Sequence, residues 1–170
     1  MTNDNEDTLK KASALLNAER WDEAIALLVG ESALTWKGYW SLGWAYLRKG
    51  NVSEAIAQLE KAARIGSDEP TAHWALAVAS KEAGHLERAE QEFRAALAIR
   101  EGYLPRFGLA FLQHEQGRIE EARATHEEGL RLTPDHPRKL EAYADFLSDI
   151  GCEAEAQVAY KKAERVRDHP

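Results

Sequence analysis

Six histidines, one cysteine and a dense set of carboxylates are the side chains in this sequence that could do chemistry. A zinc hydrolase needs two histidines a helical turn apart with a glutamate between them, or imidazoles and thiolates at short spacing. His73, His85, His114, His126, His136 and His169 offer no such pair on one helix. Cys152 is alone, so it closes neither an intramolecular disulfide nor a thiolate cage. It follows Gly151 at a predicted helix start, where a thiolate gains a little stability, but no base is spaced to activate it. There is no glycine-rich phosphate loop and no Gly-x-Ser-x-Gly elbow. The carboxylates fall at helical spacing beside cations, as Glu60 does beside Arg64, and read as surface ion pairs. Arg118, Glu120, Glu121 and Arg123 read as a solvated face interrupted by Ile119. No catalytic, metal or cofactor constellation results, and the expectation is a protein that is not an enzyme.

Charge and composition narrow the remaining classes. Of 170 residues 44% are hydrophobic and 30% charged, which suits a folded chain. The net charge of -7 opposes binding to a phosphate backbone or to an anionic membrane surface. Residues Met1 to Asp7 are polar and acidic, unlike a secretory signal, and no apolar run is long enough to span a bilayer. A cytoplasmic location is expected. Alanine is abundant, and the β-branched residues form no alternating runs, so helix is favoured throughout.

The elements that would carry any site are organised by a repeat. Gly50, Gly84, Gly117 and Gly151 are separated by 34, 33 and 34 residues. Five residues after each stands Ala55, Ala89, Ala122 or Ala156, and four further on Leu59, Phe93, His126 or Tyr160. A small residue follows at Ala62, Ala96, Gly129 and Ala163. Upstream, Leu42, Leu76, Leu109 and Tyr143 precede the small residues Gly43, Ala77, Ala110 and Ala144. Each spaced glycine suits the left-handed position that ends a helix. Asn51 is placed to cap the next helix, with Glu54 reaching back. Pro70 and Pro137 suit first turns. The small residues let paired helices approach while the large ones fill between them, and one such pair must stack on neighbours to bury its apolar face. His126, where the other copies have a large apolar residue, is expected to be partly buried with a local partner. In the last helix Gln157 and Glu164 suggest a polar end cap.

This pattern resembles the tetratricopeptide repeat family, most clearly in Tyr39, Leu42, Gly43, Tyr46, Gly50, Ala55, Ile56, Leu59 and Ala62. A weaker copy precedes it, with Glu19 at the turn position. The resemblance implies an all-α, right-handed superhelical solenoid of about five antiparallel helix pairs. One repeat domain would occupy 1-170, with repeats near 5-35, 36-69, 70-102, 103-136 and 137-170.

In that family an arc of each first helix lines a concave groove. Carried onto this chain, the arc contains Lys37, Trp40, Trp44 and Arg48, then Trp74 and Val78, then Phe107, Phe111 and His114, and finally Glu141 and Asp145. Leu9 and Ser13 take the matching places in the first copy. Five aromatic rings left open would exceed the apolar patch that soluble monomers tolerate. The expected partner is therefore a protein or peptide with apolar anchors, carrying basic residues toward the acidic end. A self-assembling structural protein, with the rings meeting another copy, and a dedicated chaperone for an apolar client segment are the alternatives. The family's carboxylate-clamp roles would fall on Trp40, Trp44, Ala75, Leu104 and Gly108, none of which matches.

Overall fold

A computed structural model describes residues 3–31 and 33–168; His169 lies outside them. Ten α-helices follow one another: α1 (Asn3–Asn17), α2 (Trp21–Val29), α3 (Trp36–Arg48), α4 (Val52–Ile65), α5 (Pro70–Glu82), α6 (Leu86–Ile99), α7 (Tyr103–Glu115), α8 (Ile119–Leu132), α9 (Pro137–Asp149) and α10 (Glu153–Asp168). All regular structure among the described residues is helical. The helices pack as five consecutive pairs.

The chain forms two compact units, one up to Ile99 and one from Arg100. In the first, α1 to α6 each pack on their sequence neighbour, and the first helices α1, α3 and α5 also touch in turn. In the second, α7 pairs with α8 and α9 with α10, while α9 packs on both α7 and α8.

The repeated packing positions are buried in most copies, with Tyr143 and Tyr160 half-buried in the last. Ala55, Leu59 and Ala62 on α4 and Ala89, Phe93 and Ala96 on α6 lie in the core. The small-residue argument can be measured at Gly43. A β-carbon there would stand 2.6 Å from Leu59 Cγ and 3.1 Å from the Ala55 carbonyl, so α3 and α4 approach over bare backbone.

The turn glycines also behave as their spacing requires. Gly50, Gly84, Gly117 and Gly151 have φ of 81°, 77°, 71° and 79°. Glu19 holds the same position in the first pair with φ 56°, the one non-glycine residue with positive φ among those described. A β-carbon is strained there by roughly 1–2 kcal/mol. Glu19→Gly is accordingly expected to stabilise the N-terminal unit by about 1 kcal/mol, seen as a higher urea midpoint. An unchanged or lower midpoint would contradict the strain.

Pro70 and Pro137 open α5 and α9 as expected. Asn51 does not act as a side-chain cap. Its ψ of 69° is well short of the extended value from which a cap reaches the first-turn amides. Thr35, with ψ 174°, does cap α3, accepting from the Gly38 amide at 3.4 Å.

Two charged groups differ from the sequence reading. Glu60 pairs with Arg88 of α6 at 2.7 Å, because the neighbouring second helix lies within reach of its side chain. Arg123 is half-buried and not part of a solvated face. It donates to Tyr143 Oη at 3.3 Å, to Glu155 at 3.1 Å and to Cys152 Sγ at 3.4 Å, tying α8 to α9 and α10.

A largely buried ionic knot links α7, α8 and α9 in the second unit. Lys139 is only 6% exposed. Its ammonium donates to Glu101 at 2.8 Å and to the Gly129 carbonyl at 3.4 Å, and Arg106 also donates to Glu101. Burial alone would raise the Glu101 carboxyl, but hydrogen bonds from Arg106 and Lys139, with their charges, hold it below its ordinary value. Glu101→Gln leaves the Lys139 charge buried without a counter-charge. A loss of about 2 kcal/mol in unfolding free energy is expected at pH 7, below the usual cost of a broken buried pair because Glu101 is partly solvated. A loss under about 0.5 kcal/mol would show that the knot adds no more than a surface pair does.

Candidate functional site

On the first-helix face of the N-terminal unit, helical spacing and helix packing assemble a tryptophan platform. Trp40 and Trp44 stand one turn apart on α3, and their rings stack at 6.2 Å between centroids and 9° between planes. Trp74, at the Trp40 position of the next pair, reaches across from α5 to Trp44 at 5.3 Å and 32°. All three are half-buried and rest on the alanine-rich core that includes Ala55, Leu59, Ala72 and Leu76. The rings therefore cover part of one another, and the open surface is smaller than free indoles would give. Val78 is half-buried on the same helix.

Cations flank the platform. Lys37 is exposed, with Nζ 5.6 Å from the Trp36 ring centroid. Arg48 is exposed too, and its guanidinium lies over Trp21 of α2 at 5.7 Å. Both contacts are within the range at which a cation is attracted to an indole face. Beside the platform is a cleft of about 230 Å³, lined by Leu9 and Ser13 of α1, by Trp36, Lys37, Trp40 and Ser41 of α3, and by Thr71 of α5. The indole N–H of Trp40 is buried and has no hydrogen-bond partner. Trp36, Ser41 and Thr71 were not among the residues singled out by sequence. Thr71 was legible all the same, since it stands 34 residues after Lys37 at the same place in the repeat.

The second unit carries its own aromatic ladder. His136, Tyr103, Phe107 and Phe111 stack in succession at 5.8, 5.8 and 5.9 Å. Phe107 and Phe111 remain 37% and 40% exposed. His114 is half-buried and sets its ring edge-on against Phe146 at 5.3 Å and 85°. Of the acidic residues expected on this face, Glu141 is paired with Arg167 and Asp145 accepts from the Tyr160 hydroxyl, so α10 already engages both.

His126 is buried between the rings of Tyr143 and Phe146, at 5.6 and 5.2 Å. Burial pushes its pKa down to about 4, the nearby His114 pushes the same way, and Asp145 opposes them.

A larger cleft of about 550 Å³ lies among α8, α9 and α10, lined mainly by Leu130, Pro134, Leu140, Tyr143, Leu147, Ala154, Val158 and Ala159. It contains none of the expected groove residues. Gln157 and Glu164 are exposed as an end cap requires, but Val158 beside them is 70% exposed. The signal was present in sequence: Ala154, Val158 and Ala159 stand where the second pair has the smaller or more polar Ser53, Ala57 and Gln58. Among the described residues, no three of the His, Cys, Asp and Glu side chains come together as a metal site. None of the described helices is long and apolar enough to cross a membrane.

Comparison with known proteins agrees with this architecture. No curated protein gives a significant match to the chain. Among solved structures, MamA (MSR-1) is 22% identical, with a TM-score of 0.67 over 98% of both chains. A thermophilic TPR protein of Thermus thermophilus is 19% identical, with a TM-score of 0.75 over 97% of this chain and 92% of that one. At such identities the likeness concerns the fold. The family itself is given by sequence profiles of the tetratricopeptide repeat, which match residues 9–70 and 41–103, with a second profile at 104–128. With more than half of the sequence matched by one profile, and helices paired at the repeat's own period, the chain belongs to the tetratricopeptide repeat family.

Proposed function

We propose that this chain binds a peptide or protein segment on the first-helix face of its N-terminal unit, with apolar anchors seated on Trp40, Trp44 and Trp74. Tetratricopeptide repeats are protein–protein interaction modules, and the proposal gives this one a binding face. The observation that supports it most is the three-ring platform. Three contacting indoles, two near-parallel on α3 and the third tilted against Trp44 from α5, offer an apolar surface whose rings lose little conformational entropy on binding. Lys37 and Arg48 at its margin supply polar contacts that set the register of a ligand. The role is binding and not catalysis, in an adaptor, a scaffold or a chaperone dedicated to one client.

Selection of random peptides by display on the purified protein, followed by titration of tryptophan fluorescence, tests this directly. Peptides that shift the indole emission and depend on Trp44 are expected. Failure to recover any such peptide would overturn the reading. A second reading, self-association, is favoured by the exposed rings of Phe107 and Phe111. Light scattering across a concentration series separates the two, because a mass that rises with concentration and falls back in Phe107→Ser supports self-association.

A further inference from the structure

We infer that the cleft beside Lys37 receives the carboxylate of an acidic side chain, so that the bound segment carries Asp or Glu next to the residue seated on the tryptophans. This rests on the tryptophan face being the binding face, and adds the chemistry of what binds there. Every polar side chain lining the cleft can donate a hydrogen bond. Lys37 contributes an ammonium, and Ser13, Ser41 and Thr71 contribute hydroxyls. No carboxylate is among the lining residues, and Lys37 forms no ion pair among the described residues, in a chain with 29 acidic residues to 22 basic ones. Its ammonium lies over the Trp36 ring and has no carboxylate partner among the described residues, so its three N–H donors can serve a ligand. The lining carries a net positive charge, and about 230 Å³ holds a carboxylate with its methylene stem.

The geometry points to an internal acidic residue and not to the end of a chain. The cleft is lined from α1, α3 and α5 together, so it sits within the face and a segment can continue past it on both sides. Trp40 belongs both to the cleft and to the ring stack. An acid in the cleft and an apolar anchor on the rings must therefore be near neighbours in the ligand, adjacent or within about one helical turn.

The test compares random-peptide selections on the wild-type chain and on Lys37→Glu. Lys37 is exposed, and retention of the helical circular-dichroism spectrum establishes that the variant is folded. Wild type is expected to select Asp or Glu within about four residues of a large apolar residue, and Lys37→Glu to select Lys or Arg there. A selected peptide made with acetylated and amidated ends is expected to weaken by about tenfold when its acidic residue is changed to the amide. Peptides that depend on Trp44 but ignore both changes would overturn the carboxylate and leave the tryptophan face standing. Binding that requires a free C-terminus would overturn the internal side chain. Recovery of no Trp44-dependent peptide would overturn this inference together with the binding reading it rests on.

Discussion

Lowering the pH from 7 to 5 is expected to remove about 2 kcal/mol from the stability of the C-terminal unit, and His126→Leu is expected to abolish most of that loss. The cause is a histidine at a position where the other full copies place Leu59, Phe93 and Tyr160. Buried between Tyr143 and Phe146, the imidazole is held neutral, with its pKa pushed from 6.5 down to about 4. In the unfolded chain it protonates near 6.5. The folded state therefore keeps its full stability above that value, and loses it as pH falls from 6.5 toward 4, because the unfolded chain binds the proton first. The Glu101 knot also weakens in acid, but its carboxyl lies below the ordinary 4.5, so its loss falls mainly at lower pH. Urea denaturation of both proteins at half-unit intervals of pH separates the two. Parallel stability curves for wild type and His126→Leu would show that His126 is not the group responsible. Leucine also removes a buried polar ring, so a gain of about 1 kcal/mol at pH 7 is expected in addition.

The elements were legible because backbone geometry admits few residues at certain points. A helix that ends in a left-handed residue almost calls for glycine, so four glycines at one period located four turns, and alignment located Glu19 as the fifth. The close approach of α3 to α4 demanded a residue such as Gly43. What lay on each face could be read, but not what covered it. Stacking of Trp40 on Trp44 is implicit in their four-residue spacing. The contact of Trp44 with Trp74 depends on the separation of two helices, which no spacing along the chain encodes. Long charged side chains were the least legible. Lys139, two residues into a helix, carries no mark of burial in its spacing, and its partner Glu101 lies 38 residues away in sequence. Glu60 had cations on two helices within reach and took the one outside its own. The apolar cleft around Val158 shows in the sequence only when the outer faces of the copies are compared, whereas Gln157 and Glu164 by themselves suggest a polar end cap.

Trp44→Ala is expected to weaken binding of a selected peptide by about 2–4 kcal/mol, roughly 30- to 1,000-fold, the largest effect of any single substitution on the binding face. Trp44 is the middle ring. It touches Trp40 on one side and Trp74 on the other, while neither of those has two indole partners. Its removal divides the platform and also takes the support from beside Trp74, so the loss exceeds the contact area of one indole. The ring rests on the core formed by α4 and α5, and the same substitution is expected to cost some 2–3 kcal/mol of stability, on the order of other large-to-small core changes. Binding must therefore be measured well below the unfolding transition. Trp44→Phe separates the two effects. It keeps a stackable ring and most of the packing, and is expected to retain affinity within about tenfold of wild type. If a folded Trp44→Ala protein binds the selected peptide as wild type does, the platform is core packing and the ligand sits elsewhere. The exposed rings of Phe107 and Phe111 would then be the next face to alter.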